Sequence, residues 1–420
     1  LVVSDILKVI YAPHKAFKSI LRKPQYLGAF ILLVIFVVVQ VGYSYEAGSN
    51  QYLELTHPQE VQGDILAQNA GLWQAKANTG VTIANNTADY INSTSTAFGG
   101  PPYFGTNSVE FTATNVSSIQ MELKDINGTV NCSADGFRNV SLIMKIVAPT
   151  AKPSNVSLYL DALNASSFYY DLTSSFSNIS ANDWNNITIP LDTSAWSSSG
   201  SAASWENITG LRMEFTWSNS ADVDLRIAGL FFGGLYENYV ALYGGQGPFL
   251  AQAALSGVAP FIFEWIIFTA VMYVLIKMLK GNITWKPLMI AVGFAMVTLV
   301  IQAIIFLAVY ATLPKLYLPV QVLANVSGGL DLLPTVTLDA INNANLITGV
   351  VLIIVYLWTV ALGSLITRYI TAGPTTVGQQ QPVVIENSST TPQFSWFKSI
   401  LVSAAAFLAT LLIMGFLLGA

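Results

Sequence analysis

The chain has 420 residues, 53% hydrophobic and only 10% charged, with 18 Lys and Arg against 23 Asp and Glu for a formal net charge of -5. A soluble domain carries about 25% charged residues, so this composition excludes a cytosolic enzyme, a disordered protein and a basic nucleic-acid binder. One cysteine, Cys132, and two histidines, His14 and His57, exclude an intrachain disulfide framework and a Cys/His zinc cluster.

Residues 1–25 read as a basic amphipathic segment on the cytoplasmic side. Val3, Ile6, Leu7, Ile10, Phe17, Ile20 and Leu21 recur at helical spacing, and Lys8, Lys15, Lys18, Arg22 and Lys23 fall on another face or just beyond it. Pro13 cannot sit inside a regular helix, so two short helices are predicted to meet there; Pro24 stops the second. Such a segment is expected to lie in the inner interface with its basic residues on anionic lipid headgroups, at about 1 kcal/mol each. Plain topology anchoring is the simpler alternative, needing the charges but not the stripe.

Five apolar stretches follow that are long enough for a hydrocarbon core, which takes about 20 residues. They are 26–45, 248–276, 288–313, 344–367 and 397–419, and none has a Lys or Arg in its interior. The first is expected to be a retained span and not a signal peptide. Lys277, Lys280 and Lys286 lie between the second and third spans, and Arg368 and Lys398 flank the connection 368–396, which is rich in Gly, Thr, Gln and Pro and reads as a flexible cytoplasmic loop. The loop 314–343 holds only Lys315. The positive-inside rule therefore predicts a cytoplasmic N-terminus and an outer C-terminus. Glu264 and Gln302 are expected at similar depth, with a protonated Glu264 bonded to Gln302 as glue between helices; an ion or proton path through Glu264 is the alternative. Gly415 and Gly419 form a G-x-x-x-G pair suited to close helix contact.

The insertion 46–246 is predicted to be outside, as a connector 46–79, a β-sandwich 80–234 and a linker 235–247. It carries 7 basic against 18 acidic residues and eleven N-x-S/T triplets, where its composition would give about four by chance. N-linked glycans are expected at Asn85, Asn92, Asn115, Asn127, Asn131, Asn139, Asn155, Asn164, Asn178, Asn186 and Asn207, and at Asn325 in the second outer loop. Asn282 and Asn387 would face the cytoplasm and stay bare. Val223, Leu225 and Ile227 alternate with polar residues, as do Leu211, Met213, Phe215 and Trp217, then Ile187, Ile189 and Leu191, then Val156, Leu158 and Leu160. Period-two alternation means one buried and one wet sheet face, and several such strands between Gly/Ser/Asn/Pro clusters read as a sandwich.

The runs Asn182-Asp-Trp-Asn-Asn-Ile-Thr-Ile-Pro-Leu191, Trp205-Glu-Asn-Ile-Thr-Gly-Leu211 and Leu225-Arg-Ile-Ala-Gly-Leu-Phe-Phe-Gly233 resemble the closing half of jelly-roll carbohydrate-binding modules of the galactose-binding-like type. The resemblance implies a jelly-roll sandwich and, more distantly, a glycan ligand. Trp184, Trp196 and Trp205, with Tyr103, Phe104, Tyr169 and Tyr170, are candidates for stacking on sugar; filling of the core by Trp184, Trp205 and Trp217 is the alternative. Asp222 and Asp224 share a strand face and are weak calcium candidates beside a solvated-pair reading. Cys132 reads as a free thiol.

The N-terminal pattern Ile10-Tyr-Ala-Pro13-His-Lys-Ala-Phe17-Lys-Ser-Ile20-Leu-Arg-Lys-Pro24 resembles the start of Yip1-domain membrane proteins, and Gly281-Asn-Ile-Thr-Trp-Lys-Pro-Leu-Met-Ile-Ala-Val-Gly293 is similar to their inter-span motif. The resemblance covers 1–45 and 248–420 and implies five spans with a cytosolic N-terminus.

No phosphate loop, zinc helix or nucleophile elbow occurs in the sequence; a carboxylate-pair hydrolase, which leaves no short motif, stays open. The expectation is a non-catalytic multi-pass protein of the plasma membrane, of archaeal type. Its glycosylated sandwich would bind glycan or envelope protein, as an accessory subunit of a larger membrane assembly. A Yip1-like membrane-organising factor and a transporter using Glu264 are the alternatives. The expected partners are membrane lipids, other membrane or envelope proteins and a glycan ligand, with no nucleic acid and no cofactor beyond the N-linked glycans.

Overall fold

Proline 13 divides the N-terminal stretch because it has no N–H to donate back along a helix. α1 (Val2–Tyr11) ends before it, and α2 (Pro13–Arg22) begins on it. The computed structural model describes residues 2–58, 65–75, 80–91, 105–177, 179–191, 194–200, 203–323, 329–372 and 394–418. They fall into two units, one of Leu1–Gln51, Asn238–Leu316 and Val336–Ala420, the other of Tyr52–Glu237 and Tyr317–Thr335.

The first unit is helical. After α1 and α2 come α3 (Leu27–Ser49), α4 (Gln246–Met278), α5 (Trp285–Ala295), α6 (Val297–Tyr310), α7 (Thr335–Thr371) and α8 (Trp396–Leu418). α5 and α6 make one rod with a break at Met296, so among the described residues five helices are long and apolar enough to cross a membrane. Small residues let the rods approach closely. A Cβ on Gly293 would fall 2.6 Å from the Ala29 Cβ and 2.8 Å from the Trp265 ring, which locks α3, α4 and α5 at one level. The Trp265 Nε1 donates to the Met289 carbonyl at 2.7 Å, the hydroxyls of Thr298 and Thr359 join α6 to α7 at 2.8 Å, and the Ser403 Oγ donates to the Val360 carbonyl at 2.8 Å.

This level corrects the expected Glu264–Gln302 bond. Gln302 lies nine residues beyond Gly293, about 14 Å further along the rod at 1.5 Å per residue, whereas Glu264 adjoins Trp265 at the Gly293 level. The Gln302 Oε1 is buried with no hydrogen-bond partner. The N-terminal stripe is also divided differently from expectation. Ile6, Val9, Phe17 and Ile20 are buried in one core with Leu288, Ile290 and Phe294, so protein and not lipid covers them. The apolar face α1 leaves outward is Val3, Leu7, Ile10 and Tyr11, while α2 exposes Lys15, Lys18 and Arg22, with Lys23 just beyond it. Lys8 is half-buried, 4.0 Å from Asp5. Gly415 lies near the end of α8, and Gly419 falls outside the described residues.

The second unit is a β-sandwich. Its strands are β1 (Gln51–His57), β2 (Trp73–Ala75), β3 (Thr82–Asn86), β4 (Ser108–Leu123), β5 (Asn139–Ala148), β6 (Asn155–Ala162), β7 (Ser166–Asp171), β8 (Asn185–Pro190), β9 (Ser197–Ser199), β10 (Ile208–Asn238) and β11 (Leu316–Leu318). β4 and β10 pair antiparallel from Leu123↔Leu211 to Val109↔Ile227, with register shifts between Thr216 and Val223. Around that bend each long strand passes from one layer to the other. The first layer adds β2 beside β4, and β6, β7 and β9 beside β10; the second adds β3 beside β4, and β5 and β8 beside β10. The inward residues of the alternating stretches meet in one core, with Phe111, Leu142, Met144, Leu158, Leu160, Met213, Phe215 and Leu225 all buried. Each such side chain contributes about 1.5–3 kcal/mol on burial.

Several boundaries move. Residues 46–79 are not a bare connector: β1 and β2 belong to the sheet, and Trp73 is buried in the core with its Nε1 donating to the Leu66 carbonyl at 2.6 Å. The expected linker 235–247 is taken up by the end of β10, a helical turn Tyr239–Leu242 and the start of α4. The loop 314–343 contributes β11, a turn Val320–Leu323 and the first turns of α7. Helix α7 also continues to Thr371, into the expected loop 368–396.

Candidate functional site

The wet positions of the first layer fall into a row. Strand register pairs Gln74 with Glu122, Glu122 with Arg212, Arg212 with Tyr159, Tyr159 with Tyr169, and Tyr169 with Ser197. All six point away from the core, since their neighbours Leu123, Leu211, Leu158, Leu160 and Phe168 point into it. At a strand spacing of about 4.8 Å the row is about 24 Å long. The Arg212 guanidinium carbon lies 4.1 Å from the Tyr159 ring centre, and the Tyr159 and Tyr169 rings are 5.2 Å apart. Glu214, next to Arg212 on the same face, pairs with Ser157 and Gln120, and Asp161 is opposite Gly210 and Ser167.

Charge on this row is unspent. Among the described residues Arg212 makes no ion pair within 4.0 Å, and its Nε is buried without a partner. Burial raises the Asp161 carboxyl above its ordinary value, against the pull of Arg212. Burial likewise raises the Tyr159 hydroxyl, helped by Glu214 and opposed by Arg212. Two tyrosine rings, one guanidinium and Glu122 in the row, with Glu214 and Asp161 beside it, can take the C–H face of a flat, hydroxyl-rich ligand on the tyrosines and hold its hydroxyls with the charged groups.

The second layer's outer face is different. Arg226 bonds to Asp89, to Glu110 at 2.7 Å and to Asp224 at 3.0 Å, and Lys145 reaches Asp89 at 2.9 Å. These charges are consumed by one another. The calcium reading of Asp222 and Asp224 is thereby corrected: Asp224 is committed to Arg226, and the Asp222 Oδ1 accepts the Asn115 N–H at 3.0 Å. Among the described residues no cluster of three His, Cys, Asp or Glu could hold a metal ion.

The tryptophan platform is corrected in part. Trp196 is only 7% exposed, and its Nε1 donates to the Pro190 carbonyl at 2.9 Å, so no face is open to a sugar. Trp205 is half-buried and stacks on Phe168 at 3.8 Å. Trp184 is half-buried beside Ile143, Phe231 and Val320, with the Lys145 ammonium 5.8 Å from its ring. Tyr170 packs against the core near Trp196, and Trp217 is buried in it. Tyr103 and Phe104 lie outside the described residues. Of the aromatic candidates only Tyr169 joins the row; its partners Tyr159 and Arg212 were signalled by the polar phase of two stretches whose apolar phase marks the core.

The sequon asparagines Asn85, Asn115, Asn127, Asn131, Asn155 and Asn186 are exposed, and Asn139 and Asn207 are half-buried. Asn92, Asn178 and Asn325, and the side chain of Asn164, lie outside the described residues, as does Asn387. Within the strand segments of the first layer the one sequon is Asn155, four residues from Tyr159 and about 13 Å along β6. Cys132 is buried, which pushes its thiol up to about 12.

No family model matches the chain, so the Yip1-domain resemblance rests on its quoted motifs alone. No curated protein matches either. Among solved structures the chain is similar to a family 11 carbohydrate-binding module from Clostridium thermocellum in complex with a β-1,3-1,4-mixed-linked tetrasaccharide, at 11% identity and a TM-score of 0.25, over 39% of this chain and 89% of that one. It is also similar to a structure of carbohydrate-binding modules from the β-sandwich superfamily, at 10% identity and 0.27, over 39% and 58%. A third is a β-1,2-glucanase from Parabacteroides distasonis, at 12% identity and 0.29, over 41% of this chain and 24% of the enzyme. At these identities and TM-scores the likeness decides neither ligand nor activity.

Proposed function

We propose that this chain is a non-catalytic membrane protein whose sandwich recognises glycan on the Tyr169–Tyr159–Arg212 row. The observation that carries the reading is the row itself, aligned by register with a guanidinium that has no ion pair among the described residues, and almost free of sequons. The contrast with the closed Arg226 network supports placing recognition on this layer. In this reading the five long helices cross the plasma membrane with the N-terminus in the cytoplasm. The ten basic residues that flank one side and the sequon-rich insertion on the other support that orientation. N-linked glycans would coat the second layer and its edges, where the exposed Asn85 and Asn186 sit. α1 and α2 would contact lipid, with Val3 and Leu7 in the acyl region and Lys15, Lys18, Arg22 and Lys23 among headgroups. In this reading the chain serves as an accessory subunit of a larger envelope assembly.

The test is a glycan array probed with the full chain in detergent micelles, beside Arg212→Ala and Tyr159→Ala. Binding that both substitutions weaken supports the reading. Silence of the folded wild-type chain across the array, or binding indifferent to both changes, removes it.

A further inference from the structure

We propose that the cavity at the Tyr43 end of α3 binds the uncharged, hydroxyl-rich headgroup of a membrane glycolipid. The last turns of α3, Gln51 at the start of β1, the turn Tyr239–Leu242 and the first turns of α4 line an open cleft of about 350 Å³, within the range of sites for small ligands. Its shape follows from one small residue. Gly48 lets Phe249 lie flat against α3, since a Cβ there would be 2.8 Å from the ring Cζ. Tyr239 and Tyr243 then stand edge-on to Phe249, at 6.0 and 5.7 Å.

The lining has phenol hydroxyls, the Ser44 and Ser256 hydroxyls and the amides of Gln51 and Gln252, and no acidic or basic side chain. Among the described residues the Gln51 and Gln252 side chains bond to nothing. A phosphate or ammonium headgroup would enter such a site without a countercharge and lose its hydration. A sugar headgroup finds paired donors and acceptors at both amides, with ring faces for its C–H surface. Tyr43, Tyr45, Tyr239 and Tyr243 cluster where the apolar run of α3 ends, as aromatic residues do at a membrane–water boundary. Val34 and Val38, further down the same helix, are 61% and 65% exposed, so acyl chains have apolar side chains to cover. The site is separate from the sandwich row, and either reading stands without the other.

Native mass spectrometry of the full chain, with digalactosyldiacylglycerol, phosphatidylglycerol and phosphatidylcholine supplied equally, tests this. The wild type should retain the galactolipid about fivefold over either phospholipid, the value of roughly one net hydrogen bond. Gln252→Leu on α4 and Gln51→Leu at the start of β1, which line the cavity from different elements, should each erase the preference without lowering the melting temperature. Free galactose at the same concentration should not compete, because it lacks the acyl chains. Equal retention of the three lipids, competition by free galactose, or a preference that survives both substitutions overturns the proposal.

Discussion

Arg212 on β10 stands over Tyr159 on β6, guanidinium carbon to ring centre 4.1 Å, with Tyr169 continuing the line on β7. Arg212 lies 53 residues beyond Tyr159 in sequence, and the register Arg212↔Tyr159↔Tyr169 brings it into line with the two tyrosines. A half-buried guanidinium with an open ring beside it and no carboxylate within 4.0 Å among the described residues is held ready for a ligand, since a purely structural arginine would be paired.

If this row binds glycan, Arg212→Ala removes a cation–π contact and a charged donor and should weaken binding about tenfold. Calorimetric titration with any array-positive oligosaccharide measures this. Stability should change by less than about 1 kcal/mol, because the side chain is at the wet face. Unaltered affinity in the variant would place the ligand elsewhere.

The Arg226 network predicts the opposite balance. Removing this guanidinium leaves Asp89, Glu110 and Asp224 facing one another, and Arg226→Ala should destabilise the sandwich by about 2 kcal/mol after allowance for partial exposure. Burial alone would raise the Asp89 carboxyl, but Lys145 and Arg226 outweigh it and hold the group below its ordinary value. A depressed folded value means stability that is complete above the ordinary Asp value of 3.8 and lost as pH falls through the folded one. Thermal melts of wild type and Asp89→Asn, followed from about pH 6 to about pH 3, should converge at the acid end.

Glu54 shows the reverse sign. Its carboxylate is 8% exposed and accepts the Gly234 N–H at 2.5 Å and the Val320 N–H at 2.9 Å, tying the segment after β11 to β10. Burial raises its carboxyl above the ordinary value, although both N–H donors pull it down. Its contribution is therefore complete below the ordinary value and declines as pH rises through the raised one. Glu54→Gln keeps one acceptor but turns an NH2 toward a backbone N–H, so the unit should lose about 1 kcal/mol. A melt that is unchanged and keeps its pH slope would show that the carboxylate does not hold this segment.

Helix packing gives a prediction that needs no ligand. Because a Cβ at Gly293 meets Ala29 and the Trp265 ring at under 3 Å, Gly293→Ala must push α3 from α5 and should cost about 1–3 kcal/mol. Scanning fluorimetry in detergent reads it. Gly349, whose Cβ position is open, is the matched control and should tolerate alanine.

How far the sequence carried these points differs by level. The alternation at Val223, Leu225 and Ile227 and the break at Pro13 are local consequences of side-chain chemistry, and both could be read along the chain. The relative depth of Glu264 and Gln302 does not follow from residue counts along each helix, because the level of α4 against α5 is set by the seat of Trp265 on Gly293. The tie from Glu54 to Val320 joins residues 266 positions apart. The tyrosine row is hidden for the same reason, since a polar residue on the wet phase of a strand acquires neighbours only once pairing partners are known.

Glycopeptide mapping from native membranes tests orientation and local geometry together. Asn127 and Asn131 are exposed in the segment between β4 and β5, Asn127 with a φ of 68°, and Asn186 is exposed on β8; all three should carry glycan. Asn139 sits between Gly233 and Pro190 in the sheet, and a Cβ on Gly234 would be 2.8 Å from its Nδ2, the atom a glycan would need. It should remain bare despite its triplet. Asn282, between α4 and α5, is as exposed as Asn127 and has the same kind of triplet, so exposure alone would see it modified. It should be bare only because the basic turn holding it faces the cytoplasm. Glycan on Asn282 with none on Asn127 would reverse the assigned orientation of every span.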